Sequence, residues 1–189
     1  MVIKITTTLL LLIHLVENNR VDLDSTIRRF IKSVRSTNKF VLTLREILTH
    51  QAGLKPWIAF YKKILDADEQ FLPMIYSDMK KEDYTIQVVE DLYIKNIYNN
   101  LLIQWIYKTL VRKKKKVYKY SDSGFYILRD HLEKSSGISL VELVQNYFYK
   151  PLGAYATDYL PLNQFSVVDI VSTEYDKTSQ NKSSERIYT

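Results

Sequence analysis

Cysteine is absent from the 189 residues, and that one absence removes a disulfide framework, a thiolate zinc site and a cysteine nucleophile. Histidine is scarce: His14, His50 and His131 are too far apart for HxH or HExxH spacing, so neither a metal nor a cofactor is expected. The four glycines, Gly53, Gly124, Gly137 and Gly153, cannot build GxGxxG or GxxxxGK[ST], which excludes nucleotide cradles of the glycine-rich type. Long hydrophobic runs are missing as well. Leu9 to Val16 falls far short of the ~20 apolar residues a membrane span needs.

What remains is the composition of an ordinary globular chain, 46% apolar and 25% charged, able to bury a core. The net charge of +6 has a local source: Arg112 to Lys116 are five consecutive basic residues, and without them the balance falls to about +1. That is a patch and not a basic surface, which argues against a nucleic-acid partner; the run reads as a solvated loop.

Lys4 followed by Thr6 to Val16 imitates the start of a secretory signal, but Glu17-Asn18-Asn19-Arg20 follows in place of a small-residue cleavage site. A buried helix is the favoured reading, closed by Asn18-Asn19 in the left-handed conformation before a polar turn at Val21 to Asp24. Thr43 and Glu46 form a capping box that starts a helix from Leu44 to about His50, ended by Gly53 and Pro56. Residues 54 to 84 read as short helices and loops. From about Lys95 to Leu110, Ile97, Leu101, Leu102, Trp105, Ile106 and Leu110 recur at helical spacing. Val117 to Tyr120 is a short extended piece. A helix over Asp122 to Lys134 follows, capped by Ser121 or Asp122, with Phe125, Leu128 and Leu132 on one face and Gly137 past its end. Ser139 and Glu142 form a second capping box for a helix that stops near Tyr149, before Pro151. Lys177 to Ser184 has no periodicity.

Three stretches, in order and at fitting separations, carry more than this. They are Leu48-Thr49-His50-Gln51-Ala52-Gly53-Leu54, Tyr120-Ser121-Asp122-Ser123-Gly124-Phe125 and Phe148-Tyr149-Lys150-Pro151-Leu152-Gly153. They resemble the LLTHTSGL, Y-S-[ND]-x-G-[FY] and FxPLGM segments of serine hydrolases of the β-lactamase and penicillin-binding protein superfamily, in the branch of class C β-lactamases and related esterases. The resemblance covers roughly residues 4 to 176. It implies a partial β-lactamase-related domain over 1–176 with a disordered polar tail over 177–189. The implied fold is mainly α as present, a partial β-lactamase/transpeptidase-like α/β fold lacking most of the sheet.

The chemistry implied needs a serine nucleophile, a lysine three residues later on the same helical face, and a tyrosine whose hydroxyl reaches both. Lys4 aligns with that lysine and Tyr120 with that tyrosine, while Asp122 aligns with a substrate-binding position that more usually holds asparagine. A carboxylate there cannot donate an amide hydrogen bond. The S-x-x-K position reads Met1-Val2-Ile3-Lys4, and a thioether cannot be acylated. Val171 to Asp176 still resembles the family, but no K-T-G or H-x-G motif follows. His50 is expected to be a structural hydrogen-bonding residue and not a catalytic base.

The resulting expectation is a family fragment, inactive without its nucleophile. Its relatives open β-lactams, D-alanyl peptides or small esters through an acyl-enzyme, and the implied partner is a small-molecule or peptidoglycan-peptide substrate. A non-catalytic module for cell-wall peptides or a partner protein is the alternative, and an anionic-polymer binder using the lysine run stands third. The resemblance is to a family that is mostly periplasmic or extracytoplasmic. Geometrically, Lys4 and Tyr120 must meet in one cleft, with His50 and Gly53 on a neighbouring turn.

Overall fold

The computed structural model describes residues 4–65, 72, 74–89, 92–112, 116–157, 165, 166 and 169. Met1, Lys113 to Lys115 and the polar tail lie outside them. The chain forms two compact units: Met1–Ala59 with Asn100–Tyr159, and Phe60–Asn99 with Leu160–Thr189.

In the first unit Lys4 is helical and leads through a π-helical segment, Ile5–Leu9, into α1, Leu10–Glu17. Thr7, Thr8, Leu11 and Leu12 are buried, while Ile5 and Ile13 are exposed. The expected burial of this helix therefore applies to one face. Its end is closed as the two asparagines suggest. The Asn18 side-chain amide donates to the His14 carbonyl at 2.7 Å, and Asn19 takes a left-handed φ of 53°. No helix among the described residues is long and apolar enough to cross a membrane.

Helix α2, Leu44–Leu48, begins at a complete capping box: Thr43 Oγ1 accepts the Glu46 amide at 3.1 Å, and Glu46 Oε2 accepts the Thr43 amide at 3.0 Å. It ends before the expected His50, because His50 already has a φ of 56° and has left the helix. Helix α3 spans Tyr98–Lys108 and buries Ile103 and Ile106. Ile97 and Leu110, assigned to its apolar stripe by spacing, lie outside it and are exposed. The Thr109 hydroxyl donates back to the Ile106 carbonyl at 2.7 Å and closes the last turn before Leu110. Helix α4, Ser123–Ser136, ends at left-handed Gly137. Helix α5, Leu140–Val144, has the expected Ser139/Glu142 capping box and runs on as a π-helical segment, Gln145–Tyr149.

These elements enclose Leu12, Ile27, Val34, Leu42, Leu44, Ile127, Leu128 and Val144, none more than 1% exposed. Each contributes roughly 1.5–3 kcal/mol relative to an exposed side chain. Helices α2 and α4 meet at Gly124, where a Cβ would stand 2.4 Å from Ile47 Cγ2 and 3.2 Å from Leu54 Cδ1, so only glycine allows this approach.

The second unit carries strands that local patterning did not reveal: β1, Tyr76–Ser77, β2, Ile86–Val89, and β3, Leu92–Ile94. They form an antiparallel sheet in the order β1-β3-β2, with Ile94 opposite both Tyr76 and Ile86 and an irregularity between Gln87 and Val89. The described residues are thus mainly helical with one small sheet, which agrees with the fold implied by the motifs.

Candidate active site

Lys4 is held from below by the helix it belongs to. The Tyr149 hydroxyl donates to the Thr6 carbonyl at 2.9 Å, and the His14 ring lies 5.0 Å from Tyr147 and 6.1 Å from Phe148, centroid to centroid. The C-terminal π-helical segment therefore packs along the N-terminal helix and fixes where Lys4 projects.

Tyr120 and Asp122 are presented from the entry to α4. Ser121 is buried, with its hydroxyl engaged on both sides: it donates to the Lys55 carbonyl at 2.7 Å and accepts the Ser123 amide at 3.3 Å. Of the two capping residues the sequence offers, Ser121 thus serves the helix, and the Asp122 side chain makes no capping bond. Asp122 is free to face the site.

There the structure brings all three candidate residues together. The Lys4 ammonium donates to the Tyr120 hydroxyl oxygen at 2.5 Å and pairs with Asp122 Oδ1. The Tyr120 hydroxyl in turn donates to Asp122 Oδ1 at 2.9 Å. Lys4 also lies 4.7 Å from the Tyr120 ring centroid and 5.5 Å from that of Phe125, within cation–π range. Side-chain exposures of 25% for Lys4 and 37% for Asp122 leave the cluster half open to solvent.

The chemistry available is proton handling. The phenol oxygen accepts from the ammonium and the phenol proton is donated to the carboxylate, so the three groups form one hydrogen-bonded chain, and an asparagine in place of Asp122 would remove the ion pair with Lys4.

His50 sits on the far side of Tyr120, with its ring centroid 4.6 Å away and its Nδ1 accepting the Ser121 amide at 3.3 Å. Burial, and then the Lys4 charge, pull its pKa below the ordinary value, consistent with a neutral ring whose Nδ1 is an acceptor. Gly53 follows shortly after and contacts Arg112 instead. Its φ is 69°, its carbonyl accepts the Arg112 amide at 2.8 Å, and a Cβ would stand 3.1 Å from the Arg112 carbonyl oxygen. Phe125, assigned to a core stripe by periodicity, walls the site. Its position three residues after Asp122 on a helix was the available signal. Val117 to Tyr120, expected to be extended, is irregular and tied by the Lys119 amide to the His50 carbonyl at 2.9 Å. Among the described residues no three His, Asp or Glu side chains could hold a metal ion.

A lysine on one helix meeting a tyrosine from the entry to another, on a mainly helical body with little sheet, defines a partial fold of the β-lactamase/transpeptidase class. The family model described as Beta-lactamase matches residues 2–172, and the chain belongs to the β-lactamase family. Solved structures agree at the level of fold. The octameric penicillin-binding protein homologue from Pyrococcus abyssi is 20% identical over 84% of this chain and 32% of its own, with a TM-score of 0.54. A D-amino acid amidase from Ochrobactrum anthropi, complexed with D-phenylalanine, is 20% identical over 89% of this chain and 45% of its own, TM-score 0.53. FmtA from Staphylococcus aureus is 19% identical over 78% of this chain and 32% of its own, TM-score 0.51. The chain therefore spans from about a third to under half the length of these structures. No curated protein matches it.

Proposed function

We propose that this chain carries the lysine–tyrosine half of a serine acyl-transfer site and that, with Met1 at the nucleophile position, it does not itself form an acyl-enzyme. The observation that carries this reading is the Lys4–Tyr120–Asp122 cluster, three residues from distant parts of the chain meeting at one phenol oxygen. In this reading Lys4 and Tyr120 are the proton-handling residues and Asp122 borders the substrate. The substrates are those of the family: β-lactams, D-alanyl peptides or small esters. That one of the similar structures is a D-amino acid amidase supports keeping D-alanyl peptides among them.

The test is direct. Purified protein is offered a chromogenic β-lactam, a p-nitrophenyl ester and a fluorescent penicillin. No turnover above that of a Lys4→Ala variant and no covalent label are expected. Stable labelling that Tyr120→Phe abolishes would overturn the inactivity. The second reading, a non-catalytic module for cell-wall peptides, is favoured by the way Asp122 already neutralises Lys4 and engages Tyr120. It predicts saturable binding of a D-alanyl-D-alanine peptide without cleavage.

A further inference from the structure

His50 stands in a backbone conformation that few non-glycine residues adopt, a left-handed φ of 56° just after α2. That conformation is kept where the ring has specific partners. Three contacts surround Tyr120. The His50 carbonyl accepts the amide of the residue before it, Lys119, at 2.9 Å. Nδ1 of the ring accepts the amide of the residue after it, Ser121, at 3.3 Å. The ring itself lies 4.6 Å from the Tyr120 ring, tilted by 45°, and 5.7 Å from Phe125. Tyr120 belongs to no helix or strand, so nothing regular in the backbone fixes its direction.

We propose that His50 is the positioning residue for Tyr120: its ring and Nδ1 hold the phenol where the Lys4 ammonium meets its oxygen. His50 makes no hydrogen bond to Lys4 or Asp122 in this arrangement; it bears on the phenol through its contacts with Tyr120 and Ser121. Such a supporting contact matters because a misplacement of about 1 Å is enough to disable a proton-handling pair. The proposal rests on the reading of Lys4 and Tyr120 as the site, and its test separates the two.

Tyrosine labelled with carbon-13 at Cζ gives one resonance per residue, and that of Tyr120 is the one lost in Tyr120→Phe. In the parent chain, Lys4→Met is expected to displace it, because the ammonium no longer donates to the oxygen. His50→Gly keeps the left-handed backbone without strain and removes only the side chain. In that background Lys4→Met is expected to leave the resonance where it is. His50→Asn tolerates the left-handed conformation and restores an acceptor for Ser121, so part of the displacement returns. Unchanged methyl resonances of Ile127 and Leu128 verify that the core is folded in every variant. A full displacement in folded His50→Gly overturns the positioning role. No displacement in the parent chain overturns instead the Lys4–Tyr120 reading beneath it.

Discussion

Lys39 shows what a single residue can hide in a lysine-rich sequence. It is fully buried, and its ammonium donates to Asn38 Oδ1 at 3.0 Å, the Tyr107 carbonyl at 3.1 Å and the Thr109 carbonyl at 2.6 Å, where α3 ends. Lysine is almost never fully buried without partners, so nothing in composition or spacing singles it out. Its partners are the carbonyls that a helix end leaves free, and they become visible only when the chain is folded. Lys4, Tyr120 and Asp122 were legible because motif order named them; the way they neutralise one another was not, since it depends on which side chain Ser121 frees. For Lys39, replacement by methionine removes hydrogen bonds to exposed Asn38 and to the half-buried carbonyls of Tyr107 and Thr109, the last of which keeps the Asn38 amide, and is expected to cost about 1–2 kcal/mol in urea unfolding at neutral pH. Burial also pushes its ammonium down to about 8 from the ordinary 10.5. Between those two values the unfolded chain binds more proton than the folded one, so this group's contribution to stability rises with pH from about 8 to about 10.5. Comparing Lys39→Met with the parent chain across that window isolates it, and a parallel pH course for the two proteins would refute the assignment.

The helices whose ends carry chemistry were legible and the strands were not. Both capping boxes start helices where they should, because hydroxyl and carboxylate spacing alone satisfies the free amides. Strands of two to four residues are too short for alternation to stand out from chance. Spacing also misjudged α3, since Ile97 and Leu110 share its period without belonging to it. The α2–α4 contact depends on one missing atom. Gly124→Ala drives a methyl to 2.4 Å from Ile47 Cγ2 and is expected to destabilise the protein by roughly 1–3 kcal/mol. Ile47→Ala in the same chain removes the obstructing methyl, so the double variant should lose less than the two single changes added together. Strict additivity in chemical unfolding would show that the helices separate freely and that Gly124 does not set their distance. Because α2 leads to His50 and α4 starts beside Tyr120, the same variant should also disturb the Tyr120 resonance.

At the scale of the molecule, the chain leaves its first unit after Ala59, builds a second from Phe60 to Asn99, and returns at Asn100. The sequence shows no seam at either point, because neither junction is a glycine- or proline-rich linker and composition does not change across them. The two units differ in what they bury. The first encloses a large set of side chains without solvent contact, from Leu12 to Val144. The buried apolar residues described in the second are Ile64 and Ile94, at 4% and 6% exposure. Local stability follows buried apolar contact, so the opening free energies should differ as well. Amide hydrogen exchange is expected to find Ile31, whose amide donates to the Ile27 carbonyl at 2.7 Å, and the amides of α4 in the slowest class. Amides of Ile86–Val89 and Leu92–Ile94 should exchange at least about tenfold faster, a gap of about 1.4 kcal/mol. The candidate site lies wholly within the first unit, so mild denaturant that releases the sheet amides should leave the Lys4-dependent displacement of the Tyr120 resonance intact. One common exchange rate for α4 and the three strands, with the Tyr120 signal lost at the same denaturant concentration, would show instead that the site is no more stable than the sheet.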